Sequence, residues 1–268
     1  MMAERISDLF HCRPAMRTYA GHCPVHGDVD MSEVEQLDGS MQPRGCKRCA
    51  WEALNMAPRG SDVFRMASAQ RQAERANAAL IGAGITPRFA HSTFDTFRTG
   101  AGAPQVHALE ACRDYAARFP EHYRAGRSLL LTGNVGCGKT HLGSSIVRTV
   151  VADGASALIV PAGDIVSIAR GSMVPDSGYT DRDVVVHLGG LDLLVIDEVG
   201  CQKGSEYELG LLHNIIDRRY QAVLPTVLIS NLGPDQLKAY IGERALDRLR
   251  QNGGRVVGFT WSSMRAAA

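Results

Sequence analysis

The stretch "LLLTGNVGCGKTHLGSSI", Leu129 to Ile146, constrains the fold more than any other part of the chain. It sets Gly133, Gly136 and Gly138 within six residues and closes on Lys139-Thr140. Glycine is conformationally costly in regular structure, so the chain needs bare backbone here. An apolar run precedes the loop and a helix-like run follows it. The octet Gly133-Asn134-Val135-Gly136-Cys137-Gly138-Lys139-Thr140 fits G-x-x-x-x-G-K-[ST], with His141 next in the helix. In that setting successive backbone N–H groups converge on phosphate oxygens that side chains would otherwise block. The positive end of the following helix adds to the attraction. Lys139 is expected on the β- and γ-phosphates of ATP, and the Thr140 hydroxyl on Mg2+.

The surrounding pattern is that of an α/β protein. Short apolar runs, "SLLLT" (128–132), "SALIVP" (156–161), "LDLLVID" (191–197), "TVLIS" (226–230) and "RVVGFT" (255–260), alternate with helical stretches. Continuous β-rich runs separated by helices predict a five-stranded parallel sheet, buried on both faces and flanked by helices. Upstream, "SDVFRMASAQRQAERANAAL" (61–80) reads as a polar helix, broken by Gly82, Gly84 and Pro87. Val106, Leu109, Cys112, Ala116 and Phe119 share a helical face that ends at Pro120.

The third apolar run ends in Asp197-Glu198. A carboxylate at that strand end faces the phosphate loop in a sheet of this kind. Asp197 is expected on Mg2+, and Glu198 on the attacking water. A glutamate poised for water points to hydrolysis rather than transfer to a metabolite.

Residues 1 to about 55 are rich in Cys, His, Gly and Pro and show weak periodicity. Cys23-Pro-Val-His26 and Cys46-Lys-Arg-Cys49 each have the spacing of a knuckle, and a Cys3His set suits tetrahedral Zn2+. His11, Cys12 and His22 are spare donors. Four protein ligands leave no open position, so the zinc is expected to be structural, and the module to unfold without it. Cys112, Cys137 and Cys201 complete the seven cysteines; Cys137, in the loop, is a place where oxidation would block nucleotide. An odd thiol count without a secretion signal suggests reduced thiols and a cytoplasmic protein. No 18-residue apolar window suggests a membrane span. Lys and Arg total 29 against 28 Asp and Glu, a net charge of +1, so any nucleic-acid contact must come from a local patch.

Together with "IDEVGCQKGSEYELGLLHNIIDRRYQAVLPTVLISNL" and "GERALDRLRQNGGRVVGFTWSSMR", the phosphate loop resembles the bacterial DnaC-type helicase loaders and the related IstB transposition ATPases, within the AAA+ class. The resemblance covers about residues 125 to 265. It implies an AAA+ ATPase domain at 106–268, preceded by a zinc-binding module at 1–58 and a helical linker and lead-in segment at 59–105. It implies that Asn231 senses the γ-phosphate, and that Arg248 is an arginine finger for a neighbouring subunit, with Arg244 and Arg250 as competitors. It also makes Arg265 the second sensor. Three residues follow Arg265, so a full helical lid is not expected. Single-stranded DNA contacts are implied at Arg170, Ser205 and Tyr207, beside Lys203 and Met173. Phe94 and Phe97 fall where the chain can approach adenine or join the core. The implied function is ATP-dependent delivery of a replicative DnaB-type ring helicase onto single-stranded DNA by a self-associated ring or spiral. Alternatives are an IstB-like helper acting on duplex DNA with a transposase, a zinc-bearing DNA-binding regulator with little turnover, and a metabolite kinase.

Overall fold

The computed structural model describes residues 2–100, 102–201 and 204–264, with side chains from Ile6 onward. The chain forms two compact units, residues 12–90 and residues 1–11 with 91–268. The first element, α1 (Met2–Phe10), belongs to the larger unit.

The smaller unit is an antiparallel meander of β1 (Met16–Cys23), β2 (Gly27–Glu35) and β3 (Met41–Cys46), followed by α2 (Lys47–Asn55) and α3 (Asp62–Gly82). The sequence gives little sign of these strands because β1 is exposed along most of its length. Neither face is buried, so no alternation of apolar and polar residues is required. β1 and β2 pair from Met16 opposite Val34 to Cys23 opposite Gly27, which puts Cys23 and His26 in one hairpin turn. Cys46 ends β3, and Cys49 lies in the first turn of α2. Ser61 caps α3 by accepting the Phe64 N–H at 3.2 Å. Asn77 on α3 accepts from Leu37 N–H and donates to Glu35 carbonyl, each at 2.8 Å. Arg44 pairs with Glu74. The helix expected as a linker is thus held to the end of the meander within the compact unit of residues 12–90.

The larger unit continues with α4 (Ala103–Ala117), α5 (Phe119–Ala125), β4 (Leu129–Gly133), α6 (Lys139–Ala152), β5 (Ala157–Pro161), α7 (Ala162–Gly171), α8 (Asp181–Gly190), β6 (Leu193–Val199), α9 (Glu206–Gln221), β7 (Thr226–Ser230), α10 (Pro234–Arg250) and β8 (Arg255–Phe259). The five strands stand in the order β5-β6-β7-β4-β8 and all pair in parallel. β4, β5, β6 and β7 are buried nearly throughout. β8 departs from the expected two-sided burial: Val257 and Phe259 face the core while Val256 and Gly258, on the other face, are exposed. It is an edge strand, covered on one face. Pro120 does not simply end the preceding helix. It sits in the first turn of α5, where its missing N–H costs nothing. On α4 the buried face is Ala108, Cys112, Tyr115 and Ala116, and Val106 is exposed. α1 inserts Ile6 and Phe10 into the core of the larger unit, where Phe10 stacks on His187 of α8.

Arg219 is fully buried in this core. It donates to Thr226 Oγ1 at 3.0 Å, to the Leu188 and Leu191 carbonyls at 2.8 Å and to the Pro225 carbonyl at 2.6 Å. Burial lowers its pKa to about 10, so it stays charged at neutral pH. It ties α9 to the end of α8 and to the start of β7, the strand that Asn231 follows. Among the described residues, no helix is long and apolar enough to cross a membrane.

Candidate functional site

β4 delivers the chain into the glycine loop, and α6 begins at Lys139. Gly133 has φ +128°, and a Cβ there would collide with the Phe259 carbonyl on neighbouring β8. Gly138 has φ +87°, and a Cβ there would lie 2.6 Å from the Phe97 ring. No L side chain fits either place without strain. Gly138 is also the N-cap of α6 and has no side chain to occupy the first-turn N–H groups. Lys139 is buried. Its ammonium donates to the Gly133 carbonyl at 2.8 Å and to the Asn134 carbonyl at 2.6 Å, so the lysine holds its own loop closed around the helix start.

The acidic pair stands two strands away, at the end of β6. The β6–β7 register shifts between Ile196 and Val199, and Glu198 adopts φ +56°. This is a bulge, a device that re-aims side chains beside functional sites. A left-handed non-glycine residue costs about 1–3 kcal/mol, and here it turns Glu198 out to solvent while Asp197 stays buried. Burial raises the Asp197 carboxyl above its usual range, opposed by hydrogen bonds from the Thr140 hydroxyl and the Glu198 N–H; the latter is 2.7 Å long. Thr140 and Asp197 therefore meet across the sheet edge. A hydroxyl and a carboxylate are the hard oxygen donors that Mg2+ takes, so the pair fits that ion.

β7 lies between β4 and β6. Thr132 of β4 pairs opposite Ser230, and Asn231 follows at once. Asn231 is thus placed between the phosphate loop and the acidic pair, with its amide donating to Cys201 Sγ at 3.6 Å. Arg248 lies elsewhere. It shares a cleft with Gly126, Ser128, Val223 and Thr226, which precede β4 or open β7. That is the opposite end of the strands, about 16 Å away for five residues at about 3.3 Å each. There Arg248 makes a 2.5 Å charge contact with Asp217 and lies over the Tyr220 ring at 5.3 Å. Arg244 is exposed on the same helix. Arg265 and Lys203 lie outside the described residues.

The three DNA candidates do cluster, around a carboxylate the sequence reading missed. Arg170 pairs with Glu208 at 3.3 Å and lies over the Tyr207 ring at 5.9 Å. The Ser205 hydroxyl is already engaged, as it caps α9 by accepting the Glu208 N–H, and Glu208 accepts from the N–H groups of Gly204 and Ser205. Met173 is exposed.

A second missed feature is the segment after β8. Asn134 donates from its backbone to the Phe259 carbonyl at 2.9 Å, and from its side chain to the Thr260 and Trp261 carbonyls at 3.2 and 3.1 Å. The Met264 N–H donates to the Gly136 carbonyl at 2.9 Å. Cys137 donates its S–H to the Trp261 carbonyl at 2.9 Å. Cys137 is buried, and burial raises its thiol's pKa, which disfavours the thiolate. Phe97 is buried against His141, ring centroids 5.4 Å apart, while Phe94 lies under Arg113 at 5.9 Å.

In the smaller unit, Cys23, His26, Cys46 and Cys49 bring one donor atom each within 4.8 Å of one another. His26 Nδ1 lies 3.7, 3.6 and 3.3 Å from the sulfurs of Cys23, Cys46 and Cys49, and Cys23 Sγ lies 3.5 Å from Cys49 Sγ. Zinc bonds of about 2.3 Å to sulfur and about 2.0–2.1 Å to nitrogen give tetrahedral edges of about 3.8 Å between sulfurs and about 3.5 Å between sulfur and nitrogen. The donors already stand near those corners, so the set fits zinc. Gly27 and Gly45 have φ near +70° with open space around them, so their need is for the turn and not for room. The Val25 N–H, aided by that of His26 and opposed by burial, lowers the Cys23 thiol to about 6. His22, a spare donor by sequence, is exposed and spends Nδ1 on Asp28 at 2.9 Å. Cys12 is exposed and His11 contacts His187 at 3.2 Å; neither joins the cluster.

The family model of the IstB-like ATP-binding protein matches residues 64–266. The chain is 30% identical over 243 residues to the replicative helicase loader DnaC of Escherichia coli strain K12, covering 90% of this chain and 96% of that relative. It is 33% identical over 182 residues to DnaC of Buchnera aphidicola subsp. Acyrthosiphon pisum, covering 68% and 72%. The solved structure of a DnaC helicase loader overlays with a TM-score of 0.57 at 21% identity, over 64% of this chain and 98% of that one. The chain belongs to the family of IstB-like ATP-binding proteins and DnaC-type replicative helicase loaders, within the AAA+ class.

Proposed function

We propose that this chain is an ATP-dependent loader that delivers a DnaB-type ring helicase onto single-stranded DNA, and that ATP is cleaved where two subunits abut. One observation carries the reading. The phosphate loop, Asp197, Glu198 and Asn231 gather at the C-terminal ends of β4, β6 and β7, while Arg248 stands at the N-terminal ends of β4 and β7, tied to Asp217. An arginine there is too far to serve its own nucleotide, which supports a role toward a neighbour's.

The loop amides and the α6 N-terminus bind the triphosphate, and the Lys139 ammonium exchanges two carbonyls for phosphate oxygens, a stronger charge-assisted contact. Thr140 and Asp197 hold Mg2+, which neutralises charge on the β- and γ-phosphates. Glu198, outside the buried pair, orients water. Asn231 adds a neutral donor between them, and Arg265 supplies a second-sensor cation. Arg170, Tyr207 and Ser205 form a cation, ring and hydroxyl on which single-stranded DNA can bind, once phosphate displaces Glu208 from Arg170. The smaller unit, with structural zinc, grips the helicase. The match to the Escherichia coli DnaC spans 90% of this chain, which favours the loader over a transposition helper.

Glu198→Gln should keep ATP affinity and cut turnover by about 10²–10⁴-fold, the usual worth of a positioned acid or base. Phosphate release and binding of a fluorescent ATP analogue measure the two separately. The same variant, held with ATP, should retain the replicative helicase in a pull-down and prefer single-stranded to duplex DNA. Wild-type turnover in the variant would remove Glu198 from the chemistry. Duplex preference without helicase capture would favour the transposition helper.

A further inference from the structure

The knuckle spacing in the sequence does not say which nitrogen of His26 takes metal, or what holds the other. The structure does. Nδ1 faces the three sulfurs, while Nε2, on the far side of the ring, donates to Glu52 Oε1 at 3.0 Å. Glu52 lies on α2 three residues after Cys49, the spacing that puts two side chains on one helix face. The same helix turn therefore supplies a ligand and a carboxylate aimed at the back of a second ligand.

We propose that Glu52 is the positioning residue of the zinc centre, fixing His26 as an Nδ1 ligand; this rests on the zinc reading above. A neutral imidazole carries one N–H. A carboxylate that accepts it at Nε2 pins the proton there, leaves the Nδ1 lone pair for the metal and sets the ring plane. Glu52 is not itself a ligand, because the ring stands between its carboxylate and the sulfurs. The His22–Asp28 pair provides the contrast. Its contact is as short, 2.9 Å, but it uses Nδ1 and both side chains are exposed, so it holds no ring toward the cluster.

The test uses the full chain. Zinc affinity is measured by competition with a chromophoric chelator, and His26 is followed by 15N NMR of histidine-labelled protein. In the wild type, one zinc is expected per chain, on Nδ1, with a slowly exchanging Nε2–H. Glu52→Ala should raise the zinc dissociation constant by about 10–100-fold and speed exchange of that proton. Glu52→Gln keeps an oxygen that accepts the N–H and should fall between. Asp28→Ala, which removes the matched pair outside the centre, should leave affinity unchanged. Zinc on Nε2, or a Glu52→Ala affinity within twofold of wild type, overturns the role of Glu52 alone. Less than half an equivalent of zinc in the wild type overturns the zinc reading with it.

Discussion

Arg248→Ala should bind ATP as the wild type does and lose about 10³-fold or more in turnover, the range known for arginine fingers. The expectation follows from placement. Arg248 is by the N-terminal ends of the strands, remote from its own loop, so its loss removes nothing from the pocket that would bind the nucleotide. Truncation also leaves Asp217 without its partner and Tyr220 without the cation above it. A stability loss could then imitate a catalytic one. Arg248→Lys separates the two: it keeps a cation against Asp217 but lacks the planar fork that grips phosphate, so turnover should still collapse while the fold holds. Mixing supplies the stronger check. Lys139→Ala subunits have a spoiled loop and a sound finger; Arg248→Ala subunits have the reverse. Each alone should be nearly inactive, and a mixture should recover a measurable share of turnover because some interfaces pair a sound loop with a sound finger. Recovery would also establish that the chain self-associates. A mixture as inactive as its parts, with both variants folded, would falsify a finger acting across subunits, and exposed Arg244 would be the next residue to exchange.

Removing zinc should unfold residues 12–90 and leave the larger unit standing. Among the described residues, the buried apolar side chains of the smaller unit are Cys23, Leu37, Cys46, Ala83, Ile85 and Ala90, two of them metal ligands and two alanines. Burying a leucine or isoleucine contributes about 1.5–3 kcal/mol, so that core is far smaller than the roughly 10–16 kcal/mol a structural zinc supplies to a small module. The larger unit has four buried strands and a core that owes nothing to metal. Treating the full chain with a strong chelator should expose 12–90 to rapid proteolysis and lose its amide protection, while the 91–264 region keeps its own melting transition. Cys23→Ser should behave like the chelated protein without any chelator. Unchanged protection of β2 and α3 in metal-free protein would show that the meander stands without the ion.

What could be read from the sequence divides along physical lines. All five strand runs were legible: β4 to β7 are buried on both faces and must be continuously apolar, and β8, covered on one face, still carries enough β-branched and aromatic residues to read as a strand. The phosphate loop was legible because its chemistry demands glycine, and the cluster of Cys23, His26, Cys46 and Cys49 because paired donors three positions apart have the spacing of a metal knuckle. β1 to β3 left no such trace, since exposed strands need no pattern. Glu208 and Glu52 were missed because a carboxylate on a helix surface looks like any solvated charge until its partner is seen. The clasp of Asn134, Gly136 and Cys137 by residues 259–264 joins positions more than 120 apart in the chain. No local signal announces such a contact.

The most direct test is a structure of the full chain with a non-hydrolysable ATP analogue and Mg2+. The account predicts the triphosphate on residues 133–140, the Lys139 ammonium moved from the Gly133 and Asn134 carbonyls to phosphate oxygens, and the metal between Thr140 and Asp197. A loop left empty at saturating analogue, with Lys139 still on its own carbonyls, would contradict it.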